Sequence, residues 1–132
     1  MRKKIILFTL LTPVLIVAFT TSCNKPSTTP PYLTIDTNYA HGVDTLDSGT
    51  VFIIRFTAEK AGYEDLLNSC KILKSVNGGP DSVVHDMSFY TQLLIQFYSF
   101  KAGDSGNLEK YTVTVGDTKG LFTSDSVIIY DN

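Results

Sequence analysis

The chain has 132 residues, a formal charge of −2 and 43% hydrophobic residues, enough for one modest core and too apolar for a disordered chain. The three bases Arg2, Lys3 and Lys4 stand at the extreme N-terminus, so the remainder carries all 13 acids and a charge of about −5. An acidic domain without a Lys/Arg cluster argues against nucleic acid, which is gripped through its phosphates.

The elements begin with that basic head. An apolar stretch follows over residues 5–19, then Thr20, Thr21, Ser22 and Cys23. Basic head, short apolar run and small residues form a secretory signal. The run is shorter than the ~20 residues a spanning helix needs. Small residues ending on a cysteine resemble the lipobox of bacterial lipoproteins. The resemblance implies a cut after Ser22 and lipid on the thiol of Cys23, making 1–22 the signal peptide. Thr20 departs from the leucine usual in that family. Residues 24–31 contain three prolines and no large apolar side chain, which predicts an extended tether over 23–31.

From Tyr32 onward the apolar residues recur with period two, the mark of half-buried strands. A first strand is expected over 32–37, and 38–49 reads as turn-rich. Over 50–60, Phe52, Ile54, Phe56 and Ala58 share one face, with Val51, Ile53, Arg55, Thr57 and Glu59 on the other. Residues 61–67 suit a loop or one helical turn. A third strand runs to about Val76 with Cys70 and Ile72 on one side. Asn77, Gly78, Gly79, Pro80 and Asp81 predict a tight turn, and a short strand over 82–85 returns from it. The longest run, 89–100, reads as a single strand. Phe89, Leu93, Ile95 and Phe97 fall on one of its faces, and Tyr90, Leu94, Tyr98 and Phe100 on the other. Residues 101–107 form a polar turn. Strands around 111–115 and 127–130 close the chain.

Seven or so short strands with turn chemistry between them predict an all-β sandwich over 32–132. The segment 109–117 (Glu-Lys-Tyr-Thr-Val-Thr-Val-Gly-Asp), with Gly120 and the closing Ser126, Val127, Ile128 and Ile129, resembles the last hairpin of immunoglobulin-like, cadherin-like and PKD-like bacterial modules. That resemblance implies an immunoglobulin-like β-sandwich. It also makes Tyr111 the candidate tyrosine corner, its hydroxyl bonding back to the preceding loop. The whole chain resembles small immunoglobulin-like envelope lipoproteins of gram-negative bacteria. This implies attachment to the membrane through Cys23, by default at the outer membrane and facing the periplasm.

Chemistry-bearing residues are few. No phosphate-loop, zinc-protease, paired-cysteine or nucleophile-elbow motif occurs. Once Cys23 is lipidated, Cys70 has no disulfide partner and reads as a small buried hydrophobe. His41 and His85 have no companion motif. Asp36, Asp44, Asp47 and Asp117 are candidate calcium ligands in spacings that fit no ligand loop, and no metal or other cofactor is expected. Asp precedes Ser or Thr at seven positions, and three of these continue into an aliphatic residue. That triplet resembles an O-glycosylation sequon of exported proteins in some gram-negative anaerobes, which makes Thr45, Ser82 and Ser126 candidate glycan carriers and requires them to be exposed. Tyr90, Leu94, Tyr98 and Phe100 form a candidate partner surface, with core packing under a shifted register as the alternative. The expectation is therefore a non-enzymatic, membrane-anchored module that binds a protein or glycan partner at the cell envelope. The alternative is an accessory carbohydrate-binding or adhesin subunit of a glycan-uptake system.

Overall fold

The computed structural model describes residues 28–36 and 43–132. The predicted signal peptide, Cys23 and His41 lie outside the described residues. Those described form eight strands in two sheets and no helix. They are β1 (Tyr32–Ile35), β2 (Val43–Leu46), β3 (Val51–Glu59), β4 (Leu67–Val76), β5 (Ser82–Thr91), β6 (Leu93–Lys101), β7 (Leu108–Asp117) and β8 (Phe122–Asp131). A three-stranded sheet has the order β1-β3-β6, and a five-stranded sheet the order β2-β8-β7-β4-β5. All pairs are antiparallel except β2 with β8. The expected all-β sandwich is the fold.

Strict alternation on β3 makes Phe52, Ile54, Phe56 and Ala58 the inner face of the smaller sheet, all of them buried. Tyr111, Val113 and Val115 of β7 and Val127 and Ile129 of β8 face them from the larger one. Burial at this apolar density, at roughly 25 cal/mol per Å² removed from water, drives the two sheets together. β4 breaks the alternation and still fills the core. A bulge between Leu67 and Ser69 inserts an extra residue, so Leu67 and Cys70 both point inward although three positions apart. The turn after β4 works as its residues predict, with Asn77 and Gly78 at φ 52° and 71°. In that left-handed region Gly and Asn are the residues that fit most readily.

Three expectations need correction. The turn-rich 38–49 contains a strand, β2, held by parallel pairing from Val43↔Ile128 to Leu46↔Asp131. The strand expected over 82–85 continues to Thr91. The run 89–100 is not one strand, because the chain leaves the five-stranded sheet at Thr91, turns at Gln92 and enters the three-stranded sheet at Leu93. The alternation slips by one residue at this corner, so the inward positions change parity across it. His85, Met87 and Phe89 point inward on β5, whereas Leu94, Gln96, Tyr98 and Phe100 do so on β6.

Candidate functional site

The crossing decides which aromatic stripe is available to a partner. Leu94 is core, 7% exposed. Tyr98 stacks on Phe56 with ring centroids 6.0 Å apart, and its hydroxyl shares a 2.7 Å hydrogen bond with Nε2 of His85. Phe100 packs against Phe52 and Tyr111 at 6.0 and 4.7 Å. These three residues are therefore corrected from partner surface to interior. Tyr90 alone stays outside, on β5 and 78% exposed.

The opposite face of β6 is the exposed one. Leu93, Ile95 and Phe97 point outward along β6, and Val51 and Ile53 point outward on β3, with Ile53 the diagonal neighbour of Phe97. The register places Glu59 opposite Leu93, Thr57 opposite Ile95, Arg55 opposite Phe97 and Val51 opposite Lys101. The Arg55 guanidinium carbon lies 5.2 Å from the centroid of the Phe97 ring, and the guanidinium also pairs with Asp36 at 3.1 Å. Together the five apolar side chains form a diagonal strip running from Leu93 along β6 to Phe97 and on through Ile53 to Val51, the kind of contiguous exposed apolar surface that marks interaction sites. The signal was present in the sequence: β3 and β6 are apolar on both faces, and a two-layer sandwich can cover only one face of each.

The remaining sequence candidates are scattered. Thr45 on β2 and Ser82 at the start of β5 are exposed, and Ser82 donates its hydroxyl to the Lys74 carbonyl. Ser126 is only half-buried on mid-β8, opposite Thr112 of β7. Cys70 is fully buried, and burial with the charge of Asp86 pushes its thiol up to about 11, so it stays protonated at neutral pH. Of the acids considered for calcium, Asp36 is paired with Arg55, and Asp117 Oδ1 accepts the amides of Lys119 and Leu121 to hold its own turn. No group of three His, Cys, Asp or Glu with metal-binding geometry occurs among the described residues.

Tyr111 corrects the tyrosine-corner expectation. Its hydroxyl donates at 2.9 Å to Oε2 of Glu109, two residues back on the same strand, and not to the preceding loop. Glu109 is buried and neutralised by Lys74 at 2.5 Å. Asp131, also buried, accepts the Gly103 amide at 3.2 Å on Oδ2 and leaves Oδ1 without a partner. Burial and the neighbouring Glu109 charge raise its pKa. A Cβ on Gly103 would come within 2.5 Å of Glu109 Oε1, so any larger residue would displace a carboxylate that Lys74 and Tyr111 hold in place.

No family model matches the chain, and no curated protein matches it. Solved structures do. A variant of superoxide reductase (neelaredoxin) from Ignicoccus hospitalis superposes with a TM-score of 0.57 at 6% identity, over 78% of this chain and 82% of its own. A second superoxide reductase structure from that organism gives 0.51 at 7%, over 79% and 81%. The sporulation control protein Spo0M from Bacillus subtilis gives 0.43 at 9%, over 77% and 49%. At these identities the likeness is one of fold alone.

Proposed function

We propose that this chain is a lipid-anchored, non-catalytic module of the bacterial cell envelope that binds a protein partner through the outer face of its three-stranded sheet. The observation that supports this most directly is the exposed diagonal strip of Leu93, Ile95, Phe97, Ile53 and Val51. Five apolar side chains left in water cost solubility and add nothing to the core, and aliphatic surface without a row of flat rings suits a protein better than a sugar. The basic head, the apolar run and Cys23 support attachment to the membrane. The buried, protonated Cys70 supports a binding role over nucleophilic catalysis.

A photo-crosslinking residue at position 95 in living cells should give a discrete protein adduct. Ile53→Lys with Ile95→Lys should abolish that adduct while the purified domain keeps its melting temperature. Unfolding of the double variant would assign the face to stability, and adducts to glycan alone would favour the carbohydrate-binding alternative. Cys23→Ala should release the protein from the membrane fraction.

A further inference from the structure

The most exposed aromatic side chains of the described residues are far apart in sequence but lie at one end of the sandwich. Tyr32 pairs across to Glu59, and Glu59 to Leu93. Leu67 pairs with both Thr91 and Asp117, and Gly116 with Phe122. The β5–β6 corner is tied to the β3–β4 loop, where the Lys60 amide donates to the Gln92 carbonyl. That end therefore gathers Tyr63 at 95% exposure, Tyr90 at 78%, Tyr32 and Phe122 at 61% each, and Leu93 at 51%.

The same end receives the tether. Pro31 is buried, and its carbonyl accepts the hydroxyl of Thr123, next to Phe122. Residues 24–31 span at most about 29 Å when fully extended. A lipid on Cys23 would thus hold this end, and not the other, against the bilayer. Tyrosine suits that position, because its ring prefers the apolar side of the headgroup region and its hydroxyl the wet side. The charged groups at this end are Glu59, Glu64, Asp65 and Asp117 against Lys60 and Lys119, so nothing there selects anionic lipid.

From this geometry, and resting on the lipid anchor at Cys23, we infer that the tether-proximal end docks on the membrane surface. Tyr32, Tyr63, Tyr90 and Phe122 sit at headgroup depth. The strands then stand away from the bilayer and present the face around Ile95 sideways to partners.

The sequence contains no tryptophan, so Tyr63→Trp creates a lone depth reporter and Ser105→Trp its counterpart at the far end. The lipidated full-length protein would be reconstituted in phosphatidylcholine vesicles with or without brominated acyl chains. Emission from Tyr63→Trp should shift to the blue and lose most of its intensity to the bromines, with no change on adding salt. Ser105→Trp should be indifferent. A chain that floats with the vesicles but gives equal emission at both positions overturns docking and leaves the anchor standing. A chain that fails to float, behaving like Cys23→Ala, overturns the anchor and docking together. A spectral shift that follows protein density and not bromine identifies contact between copies and likewise overturns docking.

Discussion

The two ends of the sandwich handle the same residue types in opposite ways. At the far end, where the turns over 47–50, 77–81 and 102–107 meet the close of β8, the aromatic ring turns inward: Tyr111 is buried and hydrogen-bonded to Glu109, which Lys74 neutralises. At the tether end the tyrosines turn outward. Of the buried acids there, Asp65 has Lys119 at 3.8 Å and Asp117 accepts two amides of its own turn, and each leaves one oxygen without a protein partner. The far end keeps its largest ring inside, although Asp131 there also leaves an oxygen unpartnered and Val51, Leu108 and Tyr130 stay partly exposed. The other spends its aromatic surface on the outside, and that is where an external phase is expected to matter.

The contrast predicts an order of stability effects. The largest belongs to the far end. Lys74→Ala strands Glu109 as a buried, uncompensated carboxylate, a change that typically costs about 3–5 kcal/mol, so chemical denaturation at pH 7 should show a marked drop in midpoint. A cost as small as that of an exposed lysine would mean that the far end is not closed by this network.

The next effect is pH-dependent and of opposite sign. The pKa of Asp131 is raised in the folded state by burial and by Glu109, with Asp104 adding to the shift and the Gly103 amide and Lys74 opposing it. The folded state therefore binds that proton more tightly than the unfolded chain does. Stability from this group is present at acid pH and is lost as pH rises through the raised folded value. Asp131→Asn should flatten thermal melts between mildly acidic and neutral pH and stabilise the neutral protein by about 1 kcal/mol, the scale of relieving an unpaired buried group. A variant with the wild-type pH slope would remove Asp131 from the far-end network.

The smallest effect belongs to the tether end. Tyr63→Ser and Tyr90→Ser alter exposed rings and should leave stability in detergent-free buffer within about 0.5 kcal/mol of wild type. A larger loss would show that these rings support the fold, and the distinction between the ends would blur.

How far the architecture could be read from residues depended on whether the signal was local. The alternation of β3 and the glycine-rich turn at 77–81 are written in adjacent residues, and both were legible. β2 was not, because four residues among turn formers become a strand only through a parallel partner far along the chain. The corner at Gln92 was missed for a different reason. Apolar alternation continues through it without glycine or proline, so nothing nearby announces that the inward side changes there. That single hidden crossing moved Leu94, Tyr98 and Phe100 into the core and exposed Ile95 and Phe97. The carboxylate network was equally hidden, since Glu109, Asp131 and Lys74 come from three strands.

The place of β8 between β2 and β7 also bears on how the protein is made. β8 brings Val127 and Ile129 to the core and is the last of the eight strands to leave the ribosome. Until it arrives, β2 has no sheet to join and one edge of β7 stays bare. Pairing over such a sequence distance is slow to form. A chain built in this order cannot complete its five-stranded sheet, or fill the core that Val127 and Ile129 close, until its final strand has been made.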